Sequence, residues 1–102
     1  MSSAGVMRHV PEASRYEWVV DGQVIGIVDY RQDRDQIDMH HTHTAPAHRG
    51  HGIAAELVGG ALDDLRARGL RVVPSCWYVA QYIDAHPEYR SLLAQPNERF
   101  PL

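Results

Sequence analysis

One amphipathic helix limits the fold of this sequence more than any other feature, because strand-like segments precede and follow it. From about residue 53 to residue 68 the apolar residues recur every three or four positions, which predicts one buried stripe on a helix. Gly69 is a natural stop, and Arg68 places a positive charge at the negative end of the helix dipole. Gly59 and Gly60 each cost about 1 kcal/mol relative to alanine inside a helix, so we expect another backbone to pass close to them. The stripe consists of Ile53, Ala54, Leu57, Val58, Ala61, Leu62 and Leu65.

Three strands are predicted before this helix. Residues 16–20 and 24–30 are rich in β-branched and aromatic residues, and Asp21 and Gly22 between them favour a type I′ hairpin turn, in which both residues have positive φ. A third strand fits residues 37–44. Its alternation predicts that Ile37, Met39, His41 and His43 share one face, and that Asp38, His40, Thr42 and Thr44 share the other.

A short strand and a second helix are predicted after the long helix. Residues 70–74 form the strand, residues 77–86 form the helix, residues 89–93 form a turn, and residues 95–102 are expected to be a loose tail. The predicted order is therefore three antiparallel strands, helix, parallel strand, helix. This is an α/β fold in which a right-handed crossover makes the third and fourth strands parallel.

Length and composition narrow the class of protein. A chain of 102 residues suffices for one domain, and a net charge of −3 predicts neither a nucleic-acid nor a membrane partner. Cys76 is the single cysteine, so no disulfide forms within the chain, and the first five residues lack the shape of a signal peptide. We therefore expect a cytoplasmic protein with one domain.

The loop before the long helix predicts an anion site. Gly50 and Gly52 stand just ahead of the helix, where free backbone N–H groups point outward and the dipole is positive. Arg49 adds a cation with planar donors, so a pyrophosphate is the fitting ligand. The plainer interpretation is that the two glycines only shape a tight loop.

A dinucleotide site is an alternative interpretation of the same loop, because residues 50–55 also match G-x-G-x-x-A. That motif follows its strand directly and has an acidic residue about 20 positions later. Here residues 45–49 intervene after the strand, and the next strand ends without an acid. These departures argue against the dinucleotide interpretation.

The loop and its surroundings resemble a known family. Residues 49–54, Arg-Gly-His-Gly-Ile-Ala, resemble the R/Q-x-x-G-x-G/A signature of the GCN5-related N-acetyltransferases and match it at Arg49, Gly52 and Ala54. The likeness extends from about residue 16 to residue 93 and is strongest to the small single-domain subfamily, called YidJ-like or N-acetyltransferase-domain-containing. Further shared features are the Val-Asp-Gly hairpin, His41-Thr42, the strand at residues 72–74, Cys76 and the ending His-Pro-Glu-Tyr at residues 86–89.

The resemblance implies a truncated acyl-CoA N-acyltransferase fold that binds acetyl-CoA as cosubstrate, with a core at about residues 15–93. The pantetheine arm would lie along the third strand, which would diverge from the fourth at Thr44 and Pro74. The residues implied to bind acetyl-CoA are Thr42, Thr44, Arg49, Gly50, His51, Gly52, Ile53 and Ala54.

Two histidines are candidates for the base that acetyl transfer to an amine requires, because imidazole titrates near neutral pH. His41 and His43 share a strand face just before the loop, and the subfamily usually has glutamate at the position of His43. Each of them could instead be a hydrogen-bonded core histidine. With His48 or His51 they could also ligate a metal, but no cysteine or carboxylate pattern supports one, and we expect no metal.

Cys76 and Tyr82 are the other catalytic candidates. Cys76 follows the fourth strand, where its thiolate could accept the acetyl group, or it could be an inert buried thiol. The subfamily commonly has proline after this cysteine, whereas this chain has Trp77. In larger acetyltransferases a tyrosine of the last helix protonates coenzyme A, a role that Tyr82 matches to within about one residue, with Tyr78 as its rival.

Two functions of different classes follow. The first is an N-acetyltransferase that moves an acetyl group from acetyl-CoA to an amine, which could belong to a protein because the segments that build the acceptor pocket in larger relatives are not present. The second is a non-catalytic acyl-CoA-binding or interaction module.

Overall fold

A computed structural model describes residues 5–94 as one five-stranded sheet with two α-helices. The expected loose tail at residues 95–102 lies outside the described residues. Short 3₁₀ turns span Pro11–Ala13, Pro46–His48 and Pro87–Leu92. The strands and helices are β1 (Val6–Val10), β2 (Arg15–Val20), β3 (Gln23–Asp33), β4 (Gln36–Thr44), α1 (Ile53–Ala67), β5 (Arg71–Val73) and α2 (Trp77–Ala85).

The sheet has the order β1-β2-β3-β4-β5, and its first four strands are antiparallel. β5 pairs with β4 in the parallel direction through residues 36–38 and 71–73, which confirms the predicted parallel pair. The predicted hairpin is also confirmed, since Asp21 and Gly22 have φ values of 49° and 78°. β1 was not predicted, because a five-residue edge strand whose apolar and polar residues do not alternate carries a weak signal.

α1 packs its apolar stripe on the inner face of the sheet. Ile53, Leu57 and Leu62 are buried, whereas Ala54 is only partly buried at the start of the helix. The expectation of a close backbone at the two glycines was wrong, because side chains fill this space. A Cβ added at Gly59 would lie 2.6 Å from the Tyr82 hydroxyl oxygen, and one added at Gly60 would lie 2.9 Å from the Met7 sulfur.

A β-bulge in β4 decides which side chains face the helices. Asp29 of β3 pairs with His41, but the next residue, Tyr30, pairs with Met39, so His40 is an extra residue in β4. The prediction that one face carries Ile37, Met39, His41 and His43 was therefore wrong. Before the bulge Ile37 and Met39 lie on the inner face, and after it the inner face carries Thr42 and Thr44, opposite Val28 and Gly26.

A polar network joins the C-terminal end of α1 to the sheet. The Tyr16 hydroxyl donates to the Asp64 carboxylate at 2.6 Å, and Arg68 Nη1 donates to the same carboxylate at 3.1 Å. His9 lies against Tyr16 with ring centroids 4.3 Å apart, and its Nε2 is 2.7 Å from the Tyr30 hydroxyl. Because these groups satisfy one another in a half-buried site, they fix the helix on β1, β2 and β3.

α2 follows β5 after a short turn and packs on α1 and β4 through Val79 and Ile83, which are buried. The helix ends at Ala85, one residue before the predicted end, and His86 caps it. Among residues 5–94, no helix has the length and apolar character needed to cross a membrane.

Candidate functional site

A cleft of about 480 Å³ opens between the end of β4, the glycine-rich loop and the N-terminal ends of both helices. Nine residues predicted for the site line it, namely Thr42, His43, Thr44, Arg49, Gly50, Gly52, Ile53, Ala54 and Cys76. Three predicted residues, His41, His51 and Tyr82, are not part of its lining.

The cleft exists because β4 and β5 diverge. Their paired residues end at Asp38 and Val73, and one further contact follows, in which the Cys76 N–H donates to the Met39 carbonyl at 2.9 Å. β4 then continues to Thr44, whereas the segment that follows β5 turns away into α2. The divergence thus begins earlier on β4 than the expected position at Thr44.

The glycine-rich loop presents bare backbone to the cleft. Gly50 and Gly52 have φ values of 84° and 76°, and a Cβ added at either would meet no heavy atom within 4 Å. The Glu56 N–H makes a helical bond to the Gly52 carbonyl, so the preceding N–H groups of Ile53, Ala54 and Ala55 have no carbonyl within the helix. Open space over unpaired N–H groups at the positive end of a helix fits a phosphate group.

Arg49 fixes the loop to the strand that precedes it. Its Nε donates to the Thr44 carbonyl at 3.1 Å, which ties the guanidinium to the end of β4. The side chain is exposed and uses one of its five N–H donors in this bond. A cation is therefore held at the same end of the cleft as the glycines. His51 lies on the same loop and is exposed.

His41 and His43 lie on the outer face of the sheet, opposite Asp29 and Ile27. Their rings are 6.3 Å apart and tilted by only 12°. Both are exposed, so neither is a buried core histidine. Of the two, His43 reaches the cleft and His41 does not.

Cys76 lies at the other wall of the cleft and is 8% exposed. Its Sγ is 3.5 Å from the Thr42 hydroxyl oxygen. Burial raises the pKa of this thiol, whereas hydrogen bonds from Thr42 and from the backbone N–H groups of Val79 and Tyr78 lower it. The hydrogen bonds have the larger combined effect, so the pKa lies below its usual value. The site therefore stabilises the thiolate relative to that of a free cysteine.

The two tyrosines of α2 have different surroundings. Tyr78 lines the cleft, and burial raises its pKa. Tyr82 points toward α1, where its hydroxyl meets Gly59, and its ring stacks on His86 with centroids 4.0 Å apart. Burial, followed by the charges of Asp63 and Glu88, raises the pKa of Tyr82. The structure thus brings the rival, Tyr78, to the cleft.

Besides Tyr78, two lining residues were not among the predicted catalytic or acetyl-CoA-binding residues. His48 comes from the 3₁₀ turn of the loop, and Trp77 is the first residue of α2. Trp77 is 73% exposed and makes a T-shaped contact with Tyr78, with ring centroids 5.8 Å apart. The position of Trp77 directly after the candidate Cys76 could have identified it as a site residue. Within residues 5–94, no three His, Cys, Asp or Glu side chains are grouped as metal ligands.

Comparison with known proteins places this arrangement in a family. Residues 15–92 match a family model described as GCN5-related N-acetyl-transferase. The chain belongs to the GCN5-related N-acetyltransferase family. Protein NATD1 of Gallus gallus shares 37% identity with it over 51 residues, which are 50% of this chain and 46% of the relative. Protein NATD1 of Homo sapiens shares 37% identity with it over 51 residues, which are 45% of that relative. The chain thus spans about half the length of the curated relatives it matches.

Solved structures agree with the fold of this family. A GCN5-like protein from Staphylococcus aureus has a TM-score of 0.67 at 15% identity and covers 87% of both chains. A ribosomal-protein-alanine N-acetyltransferase from Escherichia coli has a TM-score of 0.58 at 14% identity, covering 70% of this chain and 50% of that one. Identities this low concern the fold alone. The predicted α/β acyltransferase fold is confirmed.

Proposed function

We propose that this protein binds acetyl-CoA in the cleft and transfers the acetyl group to an amine. The observation that supports the proposal most directly is that one cleft joins a bare helix start, suited to a diphosphate, to a thiol and an imidazole suited to acyl transfer. The N–H groups of residues 50–54 and the Arg49 guanidinium would hold the diphosphate. Thr42 and Thr44, whose side chains lie on the inner face where β4 no longer pairs with β5, would flank the pantetheine arm.

The chemistry needs an attacking nitrogen with a free lone pair. That lone pair forms a C–N bond with the thioester carbonyl carbon, the C–S bond breaks, and the sulfur leaves with the electron pair. His43 is the proposed base that takes the proton from the nitrogen, because it lines the cleft and is exposed enough to exchange that proton with water. Tyr78, which burial keeps protonated, is the proposed acid for the departing sulfur.

Cys76 offers a second route to the same product. Its thiolate would attack the thioester carbonyl, form an acetyl-Cys76 thioester and release coenzyme A, and the amine would then take the acetyl group from Sγ. The lowered pKa of the thiol supports this route. The two routes predict different results for a variant that lacks the sulfur.

Turnover with acetyl-CoA and a panel of primary amines tests the proposal, with release of coenzyme A and intact protein mass as readouts. We expect His43→Gln to lower kcat by about 10²-fold or more, in the range of general-base catalysis. His41→Gln is the matched control, because it removes a neighbouring exposed imidazole outside the cleft lining and should change kcat by less than about threefold.

Cys76→Ser separates the two routes. The covalent route predicts an acetyl adduct on the wild-type protein, and the loss of both this adduct and turnover in the variant. Unchanged turnover in the variant would favour direct attack. Tight binding of acetyl-CoA without turnover of any amine would overturn the transferase proposal and favour a non-catalytic acyl-CoA-binding module.

A further inference from the structure

Trp77 is the most exposed large apolar side chain near the cleft. It is 73% exposed, although indole is among the side chains that gain most from burial. It makes a T-shaped ring contact with Tyr78, and most of the indole stays open to solvent. Because the residue lines the cleft directly after Cys76, this open ring belongs to the end of the cleft where acyl transfer is proposed.

The charges of the cleft supply a second, independent observation. None of the described residues that line it is an aspartate or glutamate. The polar lining side chains beside the thiol and the tryptophan include His43, His48 and the cationic Arg49. A lining of this composition offers no carboxylate partner to an ammonium group, so it disfavours a polycation and favours an amine that is already neutral.

Amines differ widely in how easily they reach the neutral form. An α-amino group has a pKa of about 7.7–8.0, whereas a lysine side chain has a pKa of about 10.4. At neutral pH a far larger fraction of α-amino groups therefore carries a free lone pair. The lining of the cleft therefore favours a weakly basic amine, and the open indole favours a molecule that carries an aromatic group.

We infer that Trp77 is a specificity-determining residue, which selects acyl acceptors that carry an aromatic group beside a weakly basic amine. This inference rests on the proposed transferase function. The ring of the acceptor would pack on the indole face, and its amine would lie next to the thioester. The reaction is unchanged: a C–N bond forms, a C–S bond breaks, and the proton leaves the nitrogen for the base.

Two amides with the same α-amine test the role of the ring. Phenylalaninamide and alaninamide differ only in the phenyl group, and spermidine serves as the polycationic acceptor. We expect kcat/KM for phenylalaninamide to exceed that for alaninamide by roughly tenfold, in the range of an aromatic pair with its buried area. Trp77→Ala should remove this preference, so that the ratio of the two kcat/KM values falls to about one, whereas Trp77→Phe should retain most of it. Spermidine should be the poorest acceptor for the wild-type protein.

Val24→Ala is the control for a general surface effect, because Val24 is 42% exposed and is not part of the cleft lining. Tryptophan emission provides a readout without turnover, since Trp18 is buried and Trp77 is not. Phenylalaninamide added to the protein with coenzyme A should shift this emission in the wild type and not in Trp77→Ala.

Acetylation of both amides with equal kcat/KM, a preference retained in Trp77→Ala, or a better rate with spermidine would overturn the inference and leave the transferase function standing. If no amine is acetylated and phenylalaninamide does not shift the emission, the inference fails together with that function. If emission shifts without turnover, the aromatic subsite stands and the transferase function fails.

Discussion

Single residues set the chemistry of the cleft, and Cys76 shows how. Its thiol is largely buried, and burial by itself disfavours a thiolate. The Thr42 hydroxyl and the first N–H groups of α2 reverse this effect, so the pKa of the thiol lies below its usual value. This balance depends on the bulge in β4, which places Thr42 on the inner face.

Replacing the Thr42 hydroxyl should therefore raise the pKa of the Cys76 thiol. We expect Thr42→Val to move the midpoint of the thiolate absorbance titration to higher pH, because a hydrogen bond to the charged form is lost while the burial remains. Alkylation at neutral pH should slow accordingly. Thr44→Val is the matched control, since Thr44 lies on the same face and lines the cleft without a recorded bond to Sγ. Equal titration curves for Thr42→Val and wild type would contradict this explanation of the thiol.

The sequence predicted some site residues better than others for physical reasons. Gly50 and Gly52 could be located because they stand directly before a clearly amphipathic helix, whose first N–H groups are free. Tyr82 could not be separated from Tyr78, because the rotation of α2 depends on its packing against α1. That rotation directs Tyr82 to Gly59 and Tyr78 to the cleft.

At the scale of elements, α1 connects the proposed anion site to the core. Its position requires two glycines in mid-helix, each of which admits a side chain from another element. The two neighbours differ in stiffness. Tyr82 is held by a stacked His86 ring 4.0 Å away, whereas Met7 has a flexible thioether.

Alanine at Gly59 and alanine at Gly60 should therefore affect the free energy of unfolding differently. Gly59→Ala forces its Cβ against the held Tyr82 hydroxyl, and the cost of overpacking, about 1–3 kcal/mol, should exceed the gain in helix propensity of about 1 kcal/mol. Gly60→Ala needs only a small shift of Met7, so the gain should prevail and the protein should be equally or more stable. Urea unfolding of both variants measures the difference.

Tyr82→Phe provides the second arm of this test. It removes the hydroxyl that lies 2.6 Å from the added Cβ and leaves the next atom, the ring carbon Cζ, at 3.4 Å. Gly59→Ala should be much less destabilising in that background. An equal loss of stability in both backgrounds would show that Tyr82 does not fill the space above Gly59.

Elements were predictable where periodicity is regular and were missed where it is broken. α1 and the β2–β3 hairpin follow from an unbroken stripe and a turn dipeptide. The bulge at His40 could not be predicted, because the residues that follow it in β4 are all polar and give no apolar signal of the change of face. One extra residue places both candidate histidines on the face opposite to Ile37 and Met39, with which they were predicted to share a face.

For the whole molecule, the sheet separates two environments. The helices cover the inner face, whereas the outer face carries cross-strand ion pairs between Arg8 and Glu17 and between Arg15 and Asp29. The cleft is lined from both sides, by Thr42 on the inner face and by His43 on the outer face. The fold class could be predicted as a whole, because the order of strands, loop and helix allows few topologies.

Calorimetric titration of the full chain with acetyl-CoA tests most directly whether the start of α1 holds a diphosphate. The wild type should bind one equivalent with a Kd on the order of micromolar to millimolar, and pantetheine, which lacks the diphosphate, should bind far more weakly. Gly52→Ala should weaken the binding of acetyl-CoA by about tenfold or more, because it adds a Cβ to the open space beside the start of α1. Gly69→Ala, equally open and with a similar φ of 70° at the opposite end of α1, should bind like the wild type. No heat with the wild type, or equal affinity in the two variants, would contradict the proposed diphosphate site.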